Sequence, residues 1–391
     1  MRKTLFACYL LILVNAVTAQ VIYEDIGSVK LNTFRKLKIK LPKNYDKTSE
    51  VKYPIIIVFD GDYLFEPVAG QVDFQSYFDD MPESIIVGVI QGNERVRDGY
   101  VDQVSGLPSQ SGLEFYDFVT KELIPFLDTK YSTSKFRVAV GHNLMGNFIN
   151  AFLFQDQQPF QAFVAISPDF RGAVDSQLPE RLDYLTNDIF YYMATSDKDV
   201  PYIRNSVINA HEAISGIDNQ NLTYYFDDFK GDSHYSLVSS AISRAFDKIF
   251  DIYKPLRDKE LQEKVLPYEG TLDKYISERY KRIESLFGIE KPISEEEFEK
   301  LVDAAEKRDD LESLLRLGKL SQKVHPDSPQ GLYYLALHAE RSGKKKKATK
   351  LYEAALAMGD SPVIDKDLIM SLVEETELAT EDLENEEEGH E

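Results

Sequence analysis

Past residue 8 the sequence contains no cysteine, and Cys8 lies inside an apolar N-terminal run with too little before it for a lipoprotein cleavage site. A chain processed beyond that run has neither a disulfide nor a thiol nucleophile. Histidine is scarce too: there are six in 391 residues, no pair has the spacing of metal ligands, and no metal or cofactor is expected. No later apolar run is long enough to span a bilayer. Cations are also in deficit. Lys and Arg number 45 against 66 Asp and Glu, a formal charge of -21, and loss of the two cations Arg2 and Lys3 takes it to -23. A surface of that sign disfavours nucleic acid and anionic lipid and favours solubility.

What the N-terminus does hold reads as a secretory signal over residues 1–19. Arg2 and Lys3 precede an apolar stretch from Leu5 to Val14, and Val17-Thr18-Ala19 supplies a small-residue cleavage site. The stretch is short for a membrane anchor, and polar Asn15 follows it closely. A mature chain beginning at Gln20, exported across an inner membrane and either periplasmic or associated with an outer membrane, is the expectation.

Residues 20–255 alternate short apolar runs with amphipathic stretches, the pattern of an α/β sheet. Leu37 to Leu41 alternates as an edge strand does. Pro54 to Phe59 and Ser84 to Ile90 are continuous apolar runs, as strands buried on both faces require. Further strands are expected over 136–140, 163–166, 189–194 and 222–226, with helices over 113–127 and 233–253. These pieces predict a three-layer α/β/α sandwich. Beyond Pro255 strand signals stop, and 256–294 reads as a helical linker. Over 295–372 a period of 34 residues matches tetratricopeptide repeats: Phe298, Leu301, Val302, Leu314 and Leu317 recur as Leu332, Leu335, Ala336, Ala348 and Leu351. A small all-α repeat domain of this kind either packs as a scaffold or offers a groove to a protein partner. Residues 373–391 are strongly acidic and are expected as a disordered tail.

The motif richest in chemistry is Gly141-His142-Asn143-Leu144-Met145-Gly146. It has the frame of the G-x-S-x-G nucleophile elbow, the strand-to-helix turn that lifts a serine oxygen into an active site, but asparagine stands where the serine should be. An amide has no hydroxyl for a histidine to deprotonate. The second glycine of the pattern is Met145, whose bulk is expected to crowd an acyl substrate.

Around that turn the remaining parts of a triad can be sought by chain order. Asp197 and Asp199 follow the 189–194 strand as acids, although either could instead cap a helix. His234, after the 222–226 strand, is the candidate base. Oxyanion donors are expected from the Leu144 N–H and from Gly61 or Asp62 in the turn after the 54–59 strand.

Several stretches in order resemble the bacterial Putative esterase family of α/β hydrolases, which includes esterase D-like enzymes and siderophore trilactone esterases. They are Leu41-Pro42-Lys43-Asn44-Tyr45, Tyr53-Pro54 with Asp60-Gly61-Asp62, Arg95-Val96-Arg97-Asp98, Glu122-Leu123-Ile124-Pro125, the elbow, Ile166-Ser167-Pro168 and Asp232-Ser233-His234. The resemblance implies cofactor-free ester hydrolysis, with Asn143 falling on the nucleophile, His234 on the base and Asp197 or Asp199 on the acid. This sequence departs from the family at 143, at 145 and at Asp169, where a small polar residue is usual.

Losing a triad nucleophile removes roughly a millionfold in rate. The expected function is therefore a non-catalytic binding or assembly module, with a protein partner on the repeats and a small ester-like ligand in the vestigial pocket. The alternative is an active ester hydrolase with a non-standard nucleophile. Deamidation of Asn143 would supply an elbow carboxylate, though Leu144 after it does not favour that reaction.

Overall fold

A computed structural model describes residues 21–388, with side chains described to 378. The signal sequence expected over 1–19 lies outside them. The described chain forms two compact units, one of residues up to 74 with 83–245, the other of 75–82 with 246 onward.

The first unit is built on an eight-stranded sheet of order β1-β2-β4-β3-β5-β6-β7-β8. Its strands are β1 Ile22–Ser28, β2 Thr33–Lys40, β3 Tyr53–Val58, β4 Ile85–Val89, β5 Thr133–His142, β6 Ala162–Ile166, β7 Ile189–Lys198 and β8 Leu222–Ser233. β2 pairs antiparallel with β1 and β4, and all later neighbours are parallel. Every residue of β3, β4 and β6 is buried, which is the consequence of covering a parallel sheet on both faces. The helices include α1 Phe65–Tyr77, α2 Ser111–Phe118, α3 Ile124–Lys130, α4 Leu144–Phe148, α5 Val174–Asp183, α6 Pro201–Ile214 and α7 Leu237–Ile249. Phe59, Phe148, Phe152 and Phe160 form an aromatic cluster at the centre of the core, with Phe59 and Phe152 stacked at 5.9 Å.

The sheet corrects one expectation. The strand at 33–40 is internal, and the edge is β1, whose Glu24 and Asp25 disguised it. An edge strand solvated on one side needs little apolar content, so its sequence is only weakly marked.

In the second unit α8 Leu272–Phe287, α9 Glu295–Lys307, α10 Leu311–Val324, α11 Gln330–Arg341, α12 Lys345–Leu356 and α13 Lys366–Glu388 follow one another, each from α9 onward packing on the next. Two further expectations change here. The stretch expected as a linker contributes Leu272, Ile276, Ile283 and Phe287 to the core, and helix continues through 373–388, where a disordered tail was expected. Ile369 and Thr376 are buried where α13 packs on α12, and glutamate propagates a helix well once it is started. Of the periodic residues, Phe298, Leu301, Val302, Leu314, Leu317, Ala336 and Ala348 are buried, whereas Leu332, Leu335 and Leu351 are half-buried.

One carboxylate organises this unit. Ser294 and Glu297 form a capping box at the start of α9, the Ser294 hydroxyl accepting from the Glu297 N–H at 3.2 Å. The buried Glu297 also accepts from the Leu256 N–H at 3.0 Å and from the Tyr280 hydroxyl, with Arg279 3.8 Å away. Removing it strands several buried polar groups at once. Glu297→Ala is expected to destabilise the second unit by about 3–5 kcal/mol in urea unfolding, with Glu297→Gln costing clearly less; equal losses would contradict the charge's part in this hub.

Candidate active site

Three residues with positive φ lie at or just past the C-terminal ends of neighbouring parallel strands: Asp60 (φ 58) after β3, Asn143 (φ 55) after β5 and Ser167 (φ 43) after β6. Binding sites of open α/β sheets sit at those strand ends, and non-glycine residues hold such backbones only where surroundings impose them, at roughly 1–3 kcal/mol each. The imposition is visible at Asn143. Its N–H donates to the Ile166 carbonyl at 3.0 Å, and its own carbonyl accepts from the N–H groups of Asn147 at 3.0 Å and Asp169 at 3.1 Å. Gly141 is required by the same turn, because a Cβ there would stand 2.4 Å from the Met145 carbonyl oxygen.

Met145 corrects the expectation of crowding. Its side chain is fully buried in the core beneath the elbow, beside Gln91 and Gly99, and does not line the mouth of the site. Gly99 makes the room: a Cβ at that position would meet Met145 Cε and Leu144 Cδ2 at 2.8 Å.

The structure brings His234, Asp199 and Asn143 together. His234 Nδ1 lies 2.6 Å from Asp199 Oδ1, and His234 Nε2 lies 3.3 Å from Asn143 Nδ2. Burial pushes the Asp199 carboxyl up, but hydrogen bonds from His234, Ser167, Thr195 and the Val200 N–H outweigh it and hold the group below its ordinary value. Asp199 is thus a carboxylate that accepts the Nδ1 proton, and the Nε2 lone pair faces the Asn143 amide. That nitrogen is where a general base would meet a nucleophile's hydroxyl.

Asp197 is placed elsewhere. It is exposed, and its carboxylate accepts from the Gly231 N–H at 2.8 Å, tying the end of β7 to the end of β8. Both strands run beyond their apolar cores to Lys198 and Ser233, which delivers Asp199 and His234 to the same place.

Of the oxyanion candidates, Gly61 is excluded because its N–H is already committed to the Val89 carbonyl at 2.9 Å. The Leu144 N–H opens α4 and lacks an intrahelical partner, as first-turn groups do. Asp62 has its carboxylate fixed by the Gln91 and Gly92 N–H groups at 2.9 and 3.1 Å, and its own N–H has no acceptor among the described residues.

Several participants carried no sequence signal of their role. The buried Ser167 hydroxyl donates to Asp199 Oδ2 at 2.6 Å and lies 3.0 Å from His234 Nδ1, behind the imidazole, so it braces the acid and is not presented for attack. Arg95 grips Asp60 through Nε at 2.6 Å and Nη2 at 2.9 Å. The Tyr63 hydroxyl sits 3.0 Å from Asp60 Oδ2 and 3.1 Å from His142 Nδ1. Asp169 is buried and paired with Arg171. Among the described residues no three His, Cys, Asp or Glu converge to hold a metal ion.

Fold and site together define an α/β-hydrolase fold with asparagine at the turn after β5. Residues 28–171 match the family described as Putative esterase, and the first unit has the α/β-hydrolase fold. An uncharacterised protein from Capnocytophaga ochracea is similar over 92% of this chain and 100% of its own, at 28% identity and a TM-score of 0.82, so the likeness includes the helical unit. An IroE-like serine hydrolase from Shewanella oneidensis shares the fold at 20% identity and TM-score 0.59, over 78% of this chain and 99% of its own. The BES protein from Bacillus cereus does so at 19% and 0.51, over 64% and 98%. No protein of curated function matches the sequence significantly.

His142 gives the site a measurable signature. It is buried, with Nε2 3.2 Å from the His234 carbonyl and its ring 4.6 Å from the His234 ring; burial, then the neighbouring histidine, pull it down to about 4. Between that value and the free value of 6.5 the unfolded chain takes up a proton that the folded one refuses. Stability therefore falls as pH drops through this window, by on the order of 3 kcal/mol. Urea titrations across it should show the slope in the native protein and a flatter one in His142→Gln; identical slopes would assign the acid sensitivity elsewhere.

Proposed function

We propose that this protein is an esterase-like binding module that does not cleave its ligand. One observation carries the reading: the Asn143 amide occupies the nucleophile's place against His234 Nε2, while the Asp199–His234 pair stays assembled. In this reading His234 stands at the base position, Asp199 at the acid and Leu144 and Asp62 at the oxyanion donors, and an ester or carboxylate group of a small ligand is held there without attack. An exported protein, periplasmic or outer-membrane associated, fits the signal-like N-terminus. No helix among the described residues is long and apolar enough to cross a membrane.

The helical unit supplies a second surface, on repeats of tetratricopeptide type. A groove of about 670 Å³ is lined by apolar Leu311, Leu315 and Leu320, by Arg316, Lys319 and Lys323, and by the carboxylates Asp273 and Glu312, the latter paired with Arg316. Lys319 and Lys323 have no carboxylate partner among the described residues, so the groove suits an acidic partner segment with apolar side chains. Charge reversal by Lys319→Glu with Lys323→Glu should weaken binding of a labelled Glu/Leu peptide at least tenfold in fluorescence anisotropy. Equal binding by both proteins would remove this surface from the proposal.

For the hydrolase unit, native protein should hydrolyse p-nitrophenyl esters no faster than His234→Ala. Asn143→Ser should raise turnover roughly a hundredfold or more, a gain lost again when His234→Ala is added. Native turnover well above the His234→Ala variant would refute the non-catalytic reading.

A further inference from the structure

We infer that Asn143 is a site of self-modification, at which the elbow drives conversion of the side-chain amide to a carboxylate through a cyclic imide with the Leu144 nitrogen, water being the co-reactant. An aspartate formed there would be the elbow carboxylate of the alternative hydrolase, so the state of Asn143 is read by mass spectrometry, separately from the ester assay that tests the non-catalytic reading.

The backbone supplies the geometry. Asn143 has ψ -116. The substituents of Cα are about 120° apart in projection, so at this ψ the Leu144 nitrogen is nearly eclipsed with Cβ of Asn143. A five-membered ring of Cα, Cβ, Cγ, the Leu144 nitrogen and the intervening carbonyl carbon requires that eclipsed arrangement. Helical and extended residues, with ψ near about -42° and +135°, hold the nitrogen far from it. A flexible chain must climb to this conformation each time it reacts, and a following leucine makes the climb harder. Here the fold maintains it through the bonds from Asn143 to Ile166, Asn147 and Asp169.

Two further features favour the step. The Asn143 carbonyl accepts two N–H groups, which draws electron density out of the peptide unit and makes the Leu144 N–H a better acid. At the other end, the leaving nitrogen Nδ2 lies 3.3 Å from His234 Nε2, whose lone pair can take up a proton from solvent and hand it on.

The atoms balance as follows. The Leu144 nitrogen loses its proton to solvent and bonds to Asn143 Cγ; the Cγ–Nδ2 bond breaks, and Nδ2 leaves as ammonia with a proton passed through His234 and replaced from solvent. Water then opens the imide, at Cγ to give aspartate or at the main-chain carbonyl to give isoaspartate.

Full-chain protein incubated at neutral pH, digested with trypsin and read by fragmentation mass spectrometry tests this. Asn147 and Asn150 fall in the same tryptic peptide, between Arg137 and Arg171, and serve as internal controls. Conversion at Asn143, with ammonia release, is expected to run roughly tenfold to a hundredfold faster in the folded protein than in the urea-unfolded chain, and faster than at either control. Equal rates folded and unfolded, or an Asn143 no more labile than the controls, would overturn the inference.

Discussion

The chain of hydrogen bonds across the ends of β5, β6 and β7 is the constraint on which the site depends. The Asn143 N–H reaches the Ile166 carbonyl, and the Ser167 N–H reaches the Ala194 carbonyl at 2.8 Å. Each strand end therefore fixes the first residue beyond its neighbour, and the positive φ of Asn143 and Ser167 is where the chain turns out of the sheet to satisfy those bonds. The turn is a property of backbone and glycine packing. It persists with asparagine at its apex because nothing in these bonds uses the side chain at 143.

The same independence explains why Asp199 and His234 stay ordered beside an amide at position 143. Asp199 is oriented by Ser167, Thr195 and the Val200 N–H as well as by His234, so its ionised form is supported from several directions. A buried carboxylate with that many donors resists protonation whether or not catalysis occurs. On the far side, Arg95, Asp60, Tyr63 and His142 form a second polar row in which the neutral His142 ring contacts the His234 carbonyl. Preorganisation for chemistry and structural support of a fold are the same contacts here.

Much of this was legible in the sequence where pattern and chemistry coincide. The apolar runs at 54–59 and 84–90 announced central strands because both faces are buried, and His234 followed from its place after the last strand. The edge strand β1 was not legible, since Asp25 faces water at little cost and Glu24 is accommodated by pairing with Lys130. Met145 was misjudged because its direction depends on Gly99, a residue 46 positions earlier whose missing side chain accommodates it. The choice between Asp197 and Asp199 turned on strand extension past the apolar core, and Ser167 is invisible as a brace because only three-dimensional closure places it behind the imidazole. Local sequence encodes elements; convergence of polar side chains is set by register and by which loops end together.

The Glu297 hub has a consequence for how the helical half of the molecule is inherited. Its carboxylate joins the chain at Leu256, the helix bearing Tyr280 and the helix it opens itself, spanning most of the first half of that unit. Repeats in a simple array touch only their neighbours and can be added or deleted singly. A bond set reaching back 41 residues removes that freedom. The segment from Leu256 through α9 is bound to persist or be lost as a block, and only the helices that follow it can be added or removed without breaking these bonds.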